Sequence, residues 1–238
     1  MDLLLFGAFP YVALVVFVIG SIYRYQTGFK YSSLSSQFLE TKKLYSASVP
    51  FHVGILVVFL GHLVGFLFPW AYLSIGGYSL VILEVIGLAF GILATVGLIM
   101  LLIRRLKSVR LAMVTNRMDI VIEIILIVQF LLGILTAVAM KWGSGWYASD
   151  MVPYLWSILL LSPDIAAISA MSIIVKLHVF GAFLVILLIP FSRLVHFLVI
   201  PLHYITRPYQ VVRWYWDKKV IRDPDTPWSE SVKRPKNN

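Results

Sequence analysis

Residues 49–69 read Val-Pro-Phe-His-Val-Gly-Ile-Leu-Val-Val-Phe-Leu-Gly-His-Leu-Val-Gly-Phe-Leu-Phe-Pro. The stretch holds no Lys, Arg, Asp or Glu, and its only titratable side chains are His52 and His62. An α-helix needs about 20 mainly apolar residues to cross a hydrocarbon core. This stretch has that length and composition, so it reads as a membrane span that carries two histidines.

Four other runs have the same character, at about 3–23, 78–103, 118–140 and 172–200. The expected fold is therefore all-α and integral to the membrane. Residues 1–200 form a bundle of five transmembrane helices, and 201–238 form a polar, proline- and charge-rich tail. Composition agrees: of 238 residues, 60% are hydrophobic and only 13% are charged. The mean hydropathy is +0.90. A soluble domain of this size keeps far more polar surface. The segment 151–162 is apolar but too short to cross, and is expected to lie along the interface or pack back on the bundle. The N-terminal run lacks the basic start of a cleaved signal and is longer than a signal's apolar region, so it reads as a retained first span.

The formal net charge is +9, and it speaks to topology rather than to nucleic acid. All of the 20 Lys and Arg residues except Lys141 and Lys176 fall in the connections 1–2 and 3–4, at the end of span five, or in the tail. Those regions are cytoplasmic by the positive-inside rule. Five spans then put the N-terminus outside and the C-terminus in the cytoplasm, across the inner membrane. Trp70, Tyr72, Trp142, Trp146, Tyr147 and Trp156 fall at the outer interface by this reading, and Tyr23, Tyr25, Tyr204 and Tyr209 at the inner one.

The chain has no cysteine. That excludes disulfides, thiolate metal sites, an intrinsic iron–sulfur cluster and covalently attached haem. Any redox centre must use other ligands, and the histidines supply them. Four of the five sit on two spans: His52 and His62 on the second, His178 and His196 on the fifth. An imidazole in hydrocarbon needs a partner or a metal. The two spans run antiparallel, so the levels pair His62 with His178 near the outer side and His52 with His196 near the inner. Each pair offers two neutral imidazoles to opposite faces of one haem iron. His178 and His196 lie about five helical turns apart and share a face, while His52 and His62 lie about 80° apart around theirs. The axial rises, about 27 Å and 15 Å, differ, and tilt or a bend at Pro190 must absorb the difference. Zinc would draw ligands at shorter local spacing, which is absent. His203, beyond the last span, reads as exposed or capping.

Other residues attach to this scheme. Gly54, Gly61, Gly65 and Gly181 flank the histidines and leave room either for a flat macrocycle or for close helix packing. Gly61, beside His62, is the one kept as a cofactor-binding candidate. Arg193, one turn before His196, is a candidate partner for a haem propionate. Glu84, early in span three, lies near the level of His62 and His178, where oxidation of a quinol needs a proton acceptor. Glu123 is expected to pair with Arg117 or a neighbour, and Asp119 to be an ordinary interfacial acid.

The motifs together resemble the membrane cytochrome b (gamma) subunit of respiratory nitrate reductase, from about residue 10 to 213. The stretches that carry the resemblance are Ile-Gly-Ser-Ile-Tyr-Arg-Tyr at 19–25, Ser-Ser-Gln at 35–37, Phe-His-Val-Gly-Ile-Leu at 51–56 and Gly-His-Leu-Val-Gly at 61–65. Further along come Lys-Leu-His at 176–178, Pro-Phe-Ser-Arg-Leu-Val-His at 190–196 and Tyr-Ile-Thr-Arg-Pro-Tyr-Gln at 204–210. The resemblance implies five spans, an outer haem b on His62 and His178, and an inner haem b on His52 and His196. It implies that menaquinol or ubiquinol is oxidised beside the outer haem. Electrons then pass inward to an iron–sulfur (beta) subunit and a molybdenum catalytic (alpha) subunit. Two departures stand out: residues 70–83 lack the lysine that the family carries near the start of the third span, with Ser79 at about that place, and the tail beyond Trp214 is longer than usual. The same module resembles subunits of heterodisulfide- and sulfite-linked reductases and of nitrite oxidoreductases. A rival of another class is a haem-free transporter or anchor, against which the chain shows no internal repeat.

Overall fold

The computed structural model describes residues 1–27, 42–112 and 114–198. The second unit of the chain, 200–238, lies outside them, and with it His203 and the expectations placed on the tail. The described residues are mostly helical, the helices joined by short turns and loops, and no strand occurs among them. Five helical segments are long and apolar enough to cross a membrane: Leu3–Gln26, Lys43–Leu67, Gly77–Lys107, Arg117–Ala139 and Ile173–Phe191. The protein is an integral membrane protein.

In chain order the helices are α1 (Phe9–Gln26, entered through a π-turn at Leu3–Ala8), α2 (Lys42–Leu67), α3 (Pro69–Ile75) and α4 (Gly77–Lys107). Then follow α5 (Val109–Ala112), α6 (Arg117–Ala139), α7 (Val152–Leu159, after a π-turn at Tyr147–Met151), α8 (Ala166–Ala170) and α9 (Ile173–Leu188). At 1.5 Å per residue the 31 residues of α4 rise about 46 Å, beyond a core of about 30 Å, so its last turn carries Arg104, Arg105 and Lys107 clear of the hydrocarbon. α6 starts on a capping box: Asn116 accepts from the Asp119 N–H while Asp119 accepts from the Asn116 N–H.

Packing runs α2–α4–α6–α9–α1, each helix against the next. The α2–α4 contact is backbone on backbone. A Cβ added at Gly54 would stand 2.6 Å from the Phe90 carbonyl, and one at Gly97 would stand 2.6 Å from the Phe51 nitrogen. Small residues let membrane helices approach this closely, which is the role the structure gives Gly54. One apolar core joins Phe51, Ala94, Leu98, Ile122 and Leu126 of α2, α4 and α6. A second joins Phe6 and Ala13 to Met151, Tyr154 and Ile158 and to Val175 and Phe183 of α9. The short segment after 151 thus packs back on the bundle. Its Tyr154 hydroxyl donates to the Phe6 carbonyl at 2.9 Å, four residues before Pro10, whose ring has no N–H to offer that acceptor.

The fifth span, expected over 172–200 with tilt or a bend at Pro190, breaks there instead of bending. α9 ends at Leu188, a 3₁₀ turn covers Ile189–Phe191, Ser192 is extended, and a second 3₁₀ segment, Arg193–Leu198, follows. Pro190 cannot bond back to Ile186, and its ring crowds that carbonyl, so the chain leaves the α-helix here. His178 and His196 therefore do not share one helical face: His178 is on α9 and His196 on the segment beyond the break.

Candidate functional site

The four histidines meet in two pairs across the space between α2 and the fifth span. The ring centres of His62 and His178 are 6.5 Å apart with planes at 43°. Those of His52 and His196 are 6.3 Å apart with planes at 61°. With a metal–nitrogen bond of about 2.0 Å and roughly 1.1 Å from ring nitrogen to ring centre, two imidazoles on opposite sides of one metal stand about 6.2 Å apart. Both pairs have that spacing. The chain leaves α9 between His178 and His196, so the rise of one straight helix over 18 residues does not apply, and each of the two still meets a histidine of α2.

Ring orientation is set locally. His52 Nδ1 lies 2.8 Å from the Ser48 carbonyl, His62 Nδ1 2.8 Å from the Val58 carbonyl, and His196 Nδ1 2.6 Å from the Arg193 carbonyl. A carbonyl only accepts, so these nitrogens carry the proton and donate it. The lone pair is left on Nε2, the tautomer a ligating histidine takes when a backbone carbonyl holds its other nitrogen. His178 differs: its Nδ1 is buried without a hydrogen-bond partner. Its ring is fixed by packing against α6, where a Cβ on Gly133 would stand 3.0 Å from Cε1. Gly133 escaped the sequence reading because it is remote in sequence from every histidine.

Two protein ligands alone do not fill a metal's coordination. Among the described residues no group of three or more His, Cys, Asp or Glu stands close enough to hold a bare ion. A haem fits this donor set, because the macrocycle brings four nitrogens and asks for two axial imidazoles. Space agrees at Gly61, where an added Cβ would meet nothing within 4 Å, and where His62 is exposed. Gly65 and Gly181 are occupied otherwise: Gly65 faces the Tyr147 ring and Gly181 the Gln129 side chain.

Around His62 the loop between α6 and α7 closes over the end of α2. The Tyr147 hydroxyl donates to the His62 carbonyl at 3.0 Å, and its ring centre lies 5.4 Å from the His62 ring. Tyr72 stands edge-on to Tyr147 at 6.4 Å. Glu84 joins this end of the bundle through Oε2, which accepts the Gly143 N–H at 2.7 Å. Gly143 sits at φ +69°, a left-handed conformation that favours glycine. Burial pushes the Tyr147 phenol up to about 12, and burial reinforced by the nearby Glu84 raises Tyr72 as well.

At the basic end Glu123 pairs, as expected, within the 3–4 connection, and its partner there is Arg105 of α4 at 2.9 Å. Asp119 is not an ordinary interfacial acid: it is 3% exposed and bridges Arg105 at 3.3 Å and Arg193 at 2.8 Å. Sequence spacing hid this because the arginines come from α4 and from beyond α9. Arg193 also donates to the Val114 carbonyl at 2.6 Å.

Residues 2–215 match the family model described as nitrate reductase gamma subunit. The chain is 36% identical over 220 residues to the respiratory nitrate reductase 1 gamma chain of Escherichia coli K12, covering 90% of this chain and 97% of that one. It is 35% identical over 216 residues to the nitrate reductase gamma chain of Bacillus subtilis, covering 88% and 97%. A nitrate reductase-like protein of Mycobacterium tuberculosis is 32% identical over 86% of this chain, which spans 32% of that longer protein. With its family model matched over nearly the whole length and its relatives covered almost end to end, the chain belongs to the nitrate reductase gamma subunit family.

Proposed function

We propose that this chain is a di-haem b-type cytochrome that oxidises menaquinol or ubiquinol near the outer face and delivers the electrons inward to a nitrate reductase complex. The observation that carries the reading is the spacing of the two imidazole pairs, 6.3 Å and 6.5 Å. His62 and His178 hold one haem b and His52 and His196 the other, with Gly61 leaving room beside the first. Arg193 supplies positive charge for a propionate of the second. When bound, each haem is a one-electron carrier whose potential the axial ligands and their hydrogen bonds tune.

The chain's own residues handle the quinol protons. Tyr72 and Tyr147, with raised pKa values, stay protonated at physiological pH and do not act as bases. The Tyr147 proton is given to the His62 carbonyl, which leaves its oxygen to accept a hydrogen bond from a quinol hydroxyl. Glu84 is the acceptor of the quinol proton, its carboxylate held by the Gly143 N–H. It does this in a chain with no lysine between 70 and 83. The Lys and Arg distribution supports an outside N-terminus, which puts His62 and His178 on the outer side and the basic end in the cytoplasm. There an iron–sulfur beta subunit and a molybdenum alpha subunit are the partners. That the relatives are named as gamma chains of nitrate reductases supports such an assembly.

The test is a reduced-minus-oxidised visible spectrum with pyridine haemochrome quantitation. Two haems b per chain are expected, falling to one in His62→Ala. A folded, colourless protein overturns the reading.

A further inference from the structure

The segment that carries His196 is a short 3₁₀ turn outside the α-helix that carries His178, so contacts from other elements must hold it. Between Leu188 and Arg193 the backbone leaves α-helical geometry, and its carbonyls lose their helical donors. Arg24, in the last turn of α1, takes two of them: its guanidinium donates to the Pro190 carbonyl at 2.6 Å and to the Ser192 carbonyl at 2.9 Å. On the far side of the segment, Asp119 of α6 binds the Arg193 guanidinium at 2.8 Å. That arginine also donates to the Val114 carbonyl ahead of α6. The carbonyl of the same Arg193 then accepts the His196 Nδ1 proton at 2.6 Å. A chain of contacts thus runs from a buried carboxylate through Arg193 to the imidazole. Arg105 of α4 braces the carboxylate from its other oxygen.

We propose that Asp119 and Arg24 are positioning residues that clamp the Arg193–Leu198 segment from two sides and so set the orientation of the His196 imidazole. The proposal rests on the reading of His52 and His196 as ligands of one haem. The fold uses the clamp because proline has removed the helix that would otherwise fix the ring. His178, on intact α9, needs no counterpart.

The test uses the full chain in its membrane complex, with the substitutions Asp119→Asn, Arg24→Met and, as a control on α6 capping alone, Asn116→Ala. Haem per chain is counted, and ferric low-spin electron paramagnetic resonance signals and midpoint potentials are recorded. His52→Ala and His62→Ala identify which signal belongs to which pair. Both clamp variants are expected to shift the signal and potential of the His52–His196 haem alone, or to weaken its retention by about 10- to 100-fold. Asn116→Ala is expected to leave both haems as in the wild type. Wild-type signals in Asp119→Asn and Arg24→Met overturn the proposal, as do equal changes at both haems. If Asp119→Asn does not accumulate, Arg24→Met decides alone. A wild-type chain without haem sinks the haem reading and this proposal together, whereas two haems indifferent to the clamp sink only the clamp.

Discussion

His178 has no backbone carbonyl at its Nδ1, and its ring rests on Gly133 instead. A methyl group at 133 forces the imidazole away from its 6.5 Å partnership with His62. Gly133→Ala is therefore expected to lower retention of that haem by about 10- to 100-fold while sparing the other, a split that the haem count and the redox titration report. Glu84 allows a cleaner separation of roles, because it touches the Gly143 N–H and neither histidine pair. Glu84→Gln keeps the hydrogen-bond acceptor but not the base. Quinol-dependent nitrate reduction should fall by about 10²-fold, with haem content and reduced-dye-dependent nitrate reduction unchanged. Equal rates with quinol would remove Glu84 from the proton path. Of these residues, Glu84 was visible as a carboxylate inside an apolar run. Gly133 was not, since nothing in a sequence says which glycine of α6 will face a ring on α9.

The helices divide in the same way. That α2 and α4 are spans follows from their apolar length, but their backbone contact through Gly54 and Gly97 depends on which faces meet. An alanine at Gly97 has nowhere to go, with the Phe51 nitrogen at 2.6 Å and the Ala47 carbonyl at 2.8 Å. Gly97→Ala should cost about 1–3 kcal/mol, read as a lower denaturation midpoint in detergent. Gly87→Ala, whose new Cβ meets nothing within 4 Å, should cost nothing measurable by the same assay. In the fifth span, Pro190 announced a bend. The bend became a full exit from the helix because Arg24 and Ser192 were there to receive the backbone: Arg24 donates to the freed carbonyls, and the Ser192 side chain accepts the Leu194 N–H at 3.2 Å.

For the molecule as a whole, the absence of cysteine makes sidedness directly measurable. A cysteine introduced at Ser144, in the exposed loop after α6, should react with an impermeant thiol reagent added to intact spheroplasts. One at Lys107, at the end of α4, should react only after the membrane is opened. The reverse pattern would invert the topology and move the proposed quinol site to the cytoplasmic side. What the sequence alone determined is what depends on composition along the chain: five apolar spans, a basic end and an aromatic end, and four histidines as the available ligands. Hydrocarbon imposes those features one segment at a time, so each can be read one segment at a time. The tertiary structure decided which groups from distant segments share a site: Gly133 under His178, Tyr147 over His62, and Asp119 between Arg105 and Arg193. Such pairings depend on helix rotation, crossing and the break at Pro190. These are set by packing between faces, about which the linear spacing of residues says little.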